Sequence, residues 1–75
     1  MNLNIYLTSK GLTDQAFADM IECERSFANR LRHGEVYPKY PTVVRIEKAT
    51  QGHVTAVDLF EAHRAKRASK ARRKG

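Results

Sequence analysis

Between Asp14 and Leu31 the apolar residues keep a spacing that severely limits what the chain can fold into. They fall at Phe17, Ala18 and Ile21, then at Cys23, then at Ala28 and Leu31. The first set is one face of a short helix, and the last pair is the inner face of a second. Ala18 is small where two crossing helices must approach closely. This is the spacing of a helix-turn-helix. Its second helix turns Arg25, Ser26, Asn29 and Arg30 outward. Arginine and asparagine can each make two hydrogen bonds to one purine, and a second helix laid in the major groove is how such motifs read DNA.

The rest of the chain reads as helix, with no competing strand pattern and no repeat. A first helix is expected over about residues 4–10, with Leu3, Tyr6 and Leu7 inward and Gly11 past its end. Thr13 is a good N-cap for the second, and Asp14 lies in its first turn where the helix dipole favours an acid. That helix ends near Ile21. The third runs from about Arg25 to His33 and stops at Gly34. Residues 35–41 contain Pro38 and Pro41, each of which pushes its predecessor into extended geometry. Pro41 and Thr42 then open a fourth helix to about Thr50, with Val43, Ile46 and Ala49 inward, and Gly52 ends it. Thr55-Ala56-Val57-Asp58 resembles a capping box with aspartate in place of glutamate. The fifth helix that it starts carries Val57, Leu59 and Phe60 as expected core residues, and frays from Ala62 onward. The expectation is an all-α bundle of about five short helices over residues 1–62, followed by a basic tail over residues 63–75.

Charge is distributed unevenly. The net charge is +6, yet residues 64–75 hold seven of the fourteen bases and none of the eight acids. These are Arg64, Lys66, Arg67, Lys70, Arg72, Arg73 and Lys74, and residues 1–63 carry a formal charge of −1. The isoelectric point near 9.9 is therefore a property of the tail. Such a tail attracts a polyanion, or is simply a solvated end. No apolar run approaches the length needed to span a bilayer, so no membrane partner is expected. The opening residues lack the basic end and apolar stretch of a signal peptide, and one cysteine forms no internal disulfide. A cytoplasmic, nucleoid-associated location is the expectation.

Gly11-Leu12-Thr13 before Phe17-Ala18, then residues 29–34 (NRLRHG), Pro41-Thr42, and residues 46–55 (IEKATQGHVT) are similar to the Cro and phage-repressor class of helix-turn-helix regulators. Within that class the chain most resembles the small YdaS-like and Cro-like proteins of phage or mobile-element origin, over roughly residues 3–60. The most specific stretch, residues 45–59, is structural in that family. The resemblance implies a sequence-specific DNA-binding transcriptional regulator, a repressor of Cro type, usually a homodimer on a palindromic operator. Two residues depart from the pattern. Glu22 stands where the turn usually has glycine, at a position that often needs a left-handed backbone. Glu24 stands where serine commonly caps the second helix. There it would face phosphates, or accept a bond from a cytosine amino group.

The expected base contacts are Arg25, Ser26, Asn29 and Arg30, whose bland alternative is a solvated helix face. Gln15, Tyr37, Lys39 and Tyr40 are the expected phosphate contacts; a surface glutamine, and one core-capping tyrosine with one exposed, are the alternatives. Arg32 and His33 sit where a positive charge suits a helix C-terminus. Cys23 reads as a small buried hydrophobe. His33, His53 and His63 show no metal-ligand spacing, and Asp14, Asp19, Glu22 and Glu24 form no paired-carboxylate site. Neither a metal nor a cofactor is expected, and no enzyme activity. The competing reading is a helix-turn-helix protein-binding module, an anti-activator or antitoxin-like regulator with little specific DNA binding, in which an exposed Phe27 or Val36 belongs to a partner groove. A third is a nucleic-acid-coating protein that works through its tail alone.

Overall fold

The computed structural model describes the backbone of residues 1–74 and the side chains of residues 1–68. Five helices follow in chain order: α1 (Leu3–Lys10), α2 (Asp14–Met20), α3 (Arg25–Arg32), α4 (Tyr40–Ala49) and α5 (Ala56–Lys74). No strand occurs among the described residues. The fold is an all-α bundle in which the first four helices are short and α5 is long.

Local chemistry accounts for the starts. Asn2 caps α1 by accepting from the Ile5 amide at 3.2 Å, and Thr13 caps α2 by accepting from the Ala16 amide at 3.1 Å. Pro41 lies in the first turn of α4, where a missing N–H costs nothing. The helix begins at Tyr40, one residue before the Pro41 expected to open it. Thr55 and Asp58 form the expected box. The Thr55 amide donates to Asp58 Oδ2 at 2.9 Å, and the Asp58 amide donates to Thr55 Oγ1 at 3.3 Å.

The ends of α1 to α4 share one device. A left-handed residue follows the last turn, and the next amide reaches back to a carbonyl five residues earlier. Gly11 and Gly34 supply the left-handed residue after α1 and α3, while Glu22 (φ 58°) and Gln51 (φ 55°) supply it after α2 and α4. The closing bonds are Leu12 to Leu7, Cys23 to Ala18, Glu35 to Arg30 and Gly52 to Glu47, all between 2.8 and 2.9 Å. Glu22 therefore does hold the left-handed backbone, at a cost of about 1–2 kcal/mol for a residue with a Cβ.

One core joins all five helices: Leu3, Tyr6 and Leu7 of α1, Phe17 and Ala18 of α2 with Ile21 just past its end, Ala28 and Leu31 of α3, Val43 and Ile46 of α4, Val54, and Leu59 of α5. Thr50 is also fully buried. Its hydroxyl donates to the Ile46 carbonyl at 2.8 Å and accepts from the Val54 amide at 3.1 Å. A buried hydroxyl with both roles filled costs little and fixes the path from α4 into the α5 approach.

Three expectations about packing are corrected. Val57 and Phe60 do not enter the core; they are 63 % and 55 % exposed. Leu59 is the buried member of that segment, with Ala56, Ala62, His63 and Lys66 half-buried along the same side of α5. Phe27 and Val36 are not exposed but partly buried against the core. Beyond Ala62, where fraying is expected, the backbone of α5 continues as helix to Lys74. Alanine, lysine and arginine all favour helix, and two contacts at Ala62 and His63 hold the helix against Gly34. His63 Nδ1 lies 3.1 Å from the Gly34 carbonyl. Gly34 approaches so closely that a Cβ built on it would lie 2.6 Å from the Ala62 carbonyl oxygen.

Candidate nucleic-acid interface

The helix-turn-helix reading depends on how α2 and α3 meet. They pack directly against each other. Phe17, Ala18 and Ile21 are sealed on one side of the crossing, Ala28 and Leu31 on the other. Burying those residues on α3 turns the side chains on its opposite side away from the core, while Phe27 packs partly against it. Arg25, Ser26 and Arg30 are exposed, with Asn29 half-buried beside them. With Asp14 and Glu35 these residues line one shallow hollow.

A second polar group ties α3 down. Arg32 Nη1 donates to Asp14 Oδ1 at 2.7 Å, Arg32 Nε donates to Asn4 Oδ1 at 2.9 Å, and Arg32 Nη2 donates to Thr8 Oγ1 at 3.3 Å. One guanidinium thereby links α1, α2 and α3, which suits a planar group with five fixed donors. The second Asp14 oxygen, Oδ2, accepts from Asn29 Nδ2 at 2.9 Å. The bond from Arg32 and then the bond from Asn29 hold the Asp14 carboxyl below the usual aspartate range. An ionised carboxylate only accepts, so Asn29 must offer it the amide nitrogen. One Nδ2 hydrogen and the Oδ1 acceptor of Asn29 stay uncommitted to Asp14. Those are the two groups an asparagine uses on an adenine edge. Asn29 is therefore an oriented side chain at the rim, not the free outward group expected from its spacing.

The expected phosphate contacts do not behave alike. Gln15 donates to Asp19 Oδ1 at 2.9 Å, a bond along one face of α2. Lys39 and Tyr40 open α4 and are exposed, Tyr40 at 79 %. Tyr37 sets its ring edge-on against Phe60, with centroids 6.2 Å apart at 86°, and lies 6.4 Å from the His63 ring. Its ring is thus committed to α5. Of the basic tail, Arg64 and Arg67 are exposed and Lys66 is half-buried. The side chains of Lys70, Arg72, Arg73 and Lys74 lie outside the described residues.

Three acids share the neighbourhood of α3. Glu22 and Glu24 are exposed in the turn, and Glu35 lines the same hollow as Arg25 and Arg30. Glu24 precedes the helix without capping it through its side chain. Cys23 is half-buried, and burial, reinforced by the neighbouring Glu24, pushes its thiol above the usual range. That is the opposite of what a nucleophile needs. Among the described residues no group of three or more His, Cys, Asp or Glu side chains is placed to hold a metal ion, and no helix is long and apolar enough to cross a membrane.

Spacing alone does not reveal the Asp14–Arg32 pair. Each residue has a local explanation as a charge suited to its own helix end. The available signal is their opposite charge on helices expected to cross. Arg45 also escapes a reading by spacing; its Nη1 lies 3.5 Å from the Ile21 carbonyl, beside the end of α2. Comparison with protein-family models, characterised proteins and solved structures gave no match to this chain.

Proposed function

We propose that the chain is a sequence-specific DNA-binding transcriptional regulator of Cro-like character that lays α3 in the major groove. The observation that carries this reading is the α2–α3 crossing, which buries Ala28 and Leu31 and leaves Arg25, Ser26 and Arg30 exposed. In this reading Arg25, Ser26 and Arg30 contact base edges, and Asn29 joins them with its orientation set by Asp14. Lys39 and Tyr40 serve phosphates directly, Gln15 through the Nε2 hydrogen it does not give to Asp19, and Tyr37 through its hydroxyl. The basic end of α5 adds sequence-independent attraction to the backbone. The protein acts in the cytoplasm on the nucleoid, as a repressor dimer on a palindromic site.

The mixed charge around α3 favours a second reading. Glu22, Glu24 and Glu35 flank the basic residues, and phosphates repel them. A partner protein carrying arginines would suit the same surface, and the chain would then be a helix-turn-helix protein-binding module. Selection of bound sequences from random double-stranded DNA at physiological salt separates the two. The regulator enriches one motif. A protein-binding module, or a coating protein that works through its tail, enriches none.

A further inference from the structure

The C-terminal end of α3, the start of α1 and the middle of α5 enclose an open hollow of about 360 Å³. Its polar lining is Asn2, Asn4, Arg32, His33 and Lys66, and no carboxylate is among the residues that line it. The remaining wall is Ala62 and Ala65, whose single methyl groups leave the space clear. That volume suits a small molecule rather than a polymer. None of these residues lines the hollow beside Arg25, Ser26 and Arg30. The inference therefore does not depend on DNA binding.

The hydrogen-bonding groups around this space are one-sided. Asn2 spends its side-chain oxygen on the Ile5 amide at 3.2 Å, and Asn4 spends its own on Arg32 Nε at 2.9 Å. Each keeps both Nδ2 hydrogens. Arg32 bonds once through each of its three nitrogens, which leaves one N–H on Nη1 and one on Nη2. Asp14 offsets the charge of Arg32 across 2.7 Å. Lys66 makes no ion pair among the described residues, so its compact charge is the uncompensated one in the lining. A space walled by donors, with positive charge in excess, selects an anion. A carboxylate pairs best with an open arginine fork, and the fork of Arg32 is already shared among Asp14, Asn4 and Thr8. Separate donors gathered from three helices around a lysine suit the three oxygens of a phosphate instead. We propose that this hollow is a binding site for small phosphomonoesters, with the Lys66 ammonium and the Asn2 and Asn4 amides on the phosphate oxygens. A nucleic-acid backbone also offers phosphate, but as a monoanionic diester, and that difference separates the two sources.

NMR titration of the full chain with methyl phosphate tests the site, at fixed ionic strength and about pH 7.5, where a phosphomonoester is mostly dianionic. Dimethyl phosphate, which carries the charge of a backbone phosphate, is titrated in parallel. Methyl phosphate shifts the side-chain amide signals of Asn2 and Asn4 to saturation, and dimethyl phosphate binds several-fold more weakly. Lys66→Gln raises the dissociation constant for methyl phosphate by about ten-fold, the loss of one charged hydrogen-bond donor. Arg67→Gln removes the same charge from the next residue, which does not line the hollow, and leaves the constant within about two-fold, as a screened surface charge should. Ala65→Leu fills the space without changing charge and abolishes saturation. Both Ala65 and Arg67 are exposed, and circular dichroism checks that each variant stays folded. A wild type whose signals never saturate overturns the proposal. So do equal losses in Lys66→Gln and Arg67→Gln, which would mark a diffuse attraction to the basic helix, and so does an Ala65→Leu variant that binds like the wild type. Dimethyl phosphate binding as tightly as methyl phosphate also overturns it and gives the hollow to a nucleic-acid backbone.

Discussion

Arg30 and Arg32 stand two residues apart on one helix and face opposite tasks. Arg32 is half-buried and spends three nitrogens on Asp14, Asn4 and Thr8, so it joins three helices. Arg30 is exposed at the hollow it shares with Arg25, Ser26, Asn29 and Glu35. The helix period explains the split, since two residues turn a side chain by more than half a turn. Asn29 lies between the two regimes, held by Asp14 on one side and presenting an acceptor and a donor on the other. The lesson concerns charge on small helical frames. Part of the basic character of α3 is structural, and only the remainder is free for a ligand.

Substitutions at the held end should therefore change stability, and substitutions at the free end should change binding. The largest effect is expected where α3 meets α5. Gly34→Ala forces a left-handed backbone on a residue with a Cβ and drives that Cβ to 2.6 Å from the Ala62 carbonyl oxygen. The expected loss is about 2–4 kcal/mol. Urea denaturation followed by circular dichroism measures it, and a loss near zero would mean that α5 does not press on Gly34.

Arg32→Ala comes next. It removes the ion pair and leaves Asp14, Asn4 and Thr8 with unfilled acceptors, for an expected loss of about 1.5–3 kcal/mol. It should also alter acid sensitivity. Asp14 titrates lower in the folded chain than its ordinary value of about 3.9. A lowered carboxylate stabilises the fold above that ordinary value, and the stabilisation disappears as pH falls through the folded value. Without Arg32 the decline between about pH 5 and pH 2 should be shallower. Asp58, lowered chiefly by its bond from the Met1 ammonium and opposed by burial, supplies acid sensitivity that this variant keeps. An unchanged acid limb in Arg32→Ala would show that the pair is not formed in solution.

The smallest effect belongs to the free end. Glu24→Ser should strengthen DNA binding by roughly 0.5–1 kcal/mol, because it removes an exposed charge from beside phosphates and supplies a hydroxyl N-cap. Fluorescence anisotropy against a selected site reads the change. Weaker binding concentrated at one C·G pair would assign Glu24 a cytosine contact.

Much of the fold is legible in the sequence alone. The 17-18-21 and 28-31 spacings mark α2 and α3, and Gly11 and Gly34 mark two helix ends, because each depends on neighbours in sequence. Gln51 is not legible as a left-handed residue, since nothing in a glutamine signals that backbone and the adjacent Gly52 draws the assignment instead. The inward side of α5 differs from its expected one. The Thr55–Asp58 box fixes where the helix starts, but which of Val57, Leu59 and Phe60 turns inward depends on the Gly34–Ala62 approach, which is a tertiary fact. The burial of Thr50 is hidden because a threonine after a helix reads as a polar surface residue, although its hydroxyl partners, the Ile46 carbonyl and the Val54 amide, are each only four residues away. In the candidate site, spacing identifies Arg25, Ser26 and Arg30 as exposed but cannot show that Asn29 and Arg32 share a carboxylate 15 and 18 residues away.

The central claim is that the free end of α3 reads bases while the held end keeps the fold. Arg30→Ala tests it most directly, through a mobility-shift series on a selected site and its single-base variants. The expected outcome is a loss of about 1–3 kcal/mol in specific affinity, with relaxed preference at one base position and unchanged thermal stability. Unchanged affinity together with unchanged base preference would contradict it.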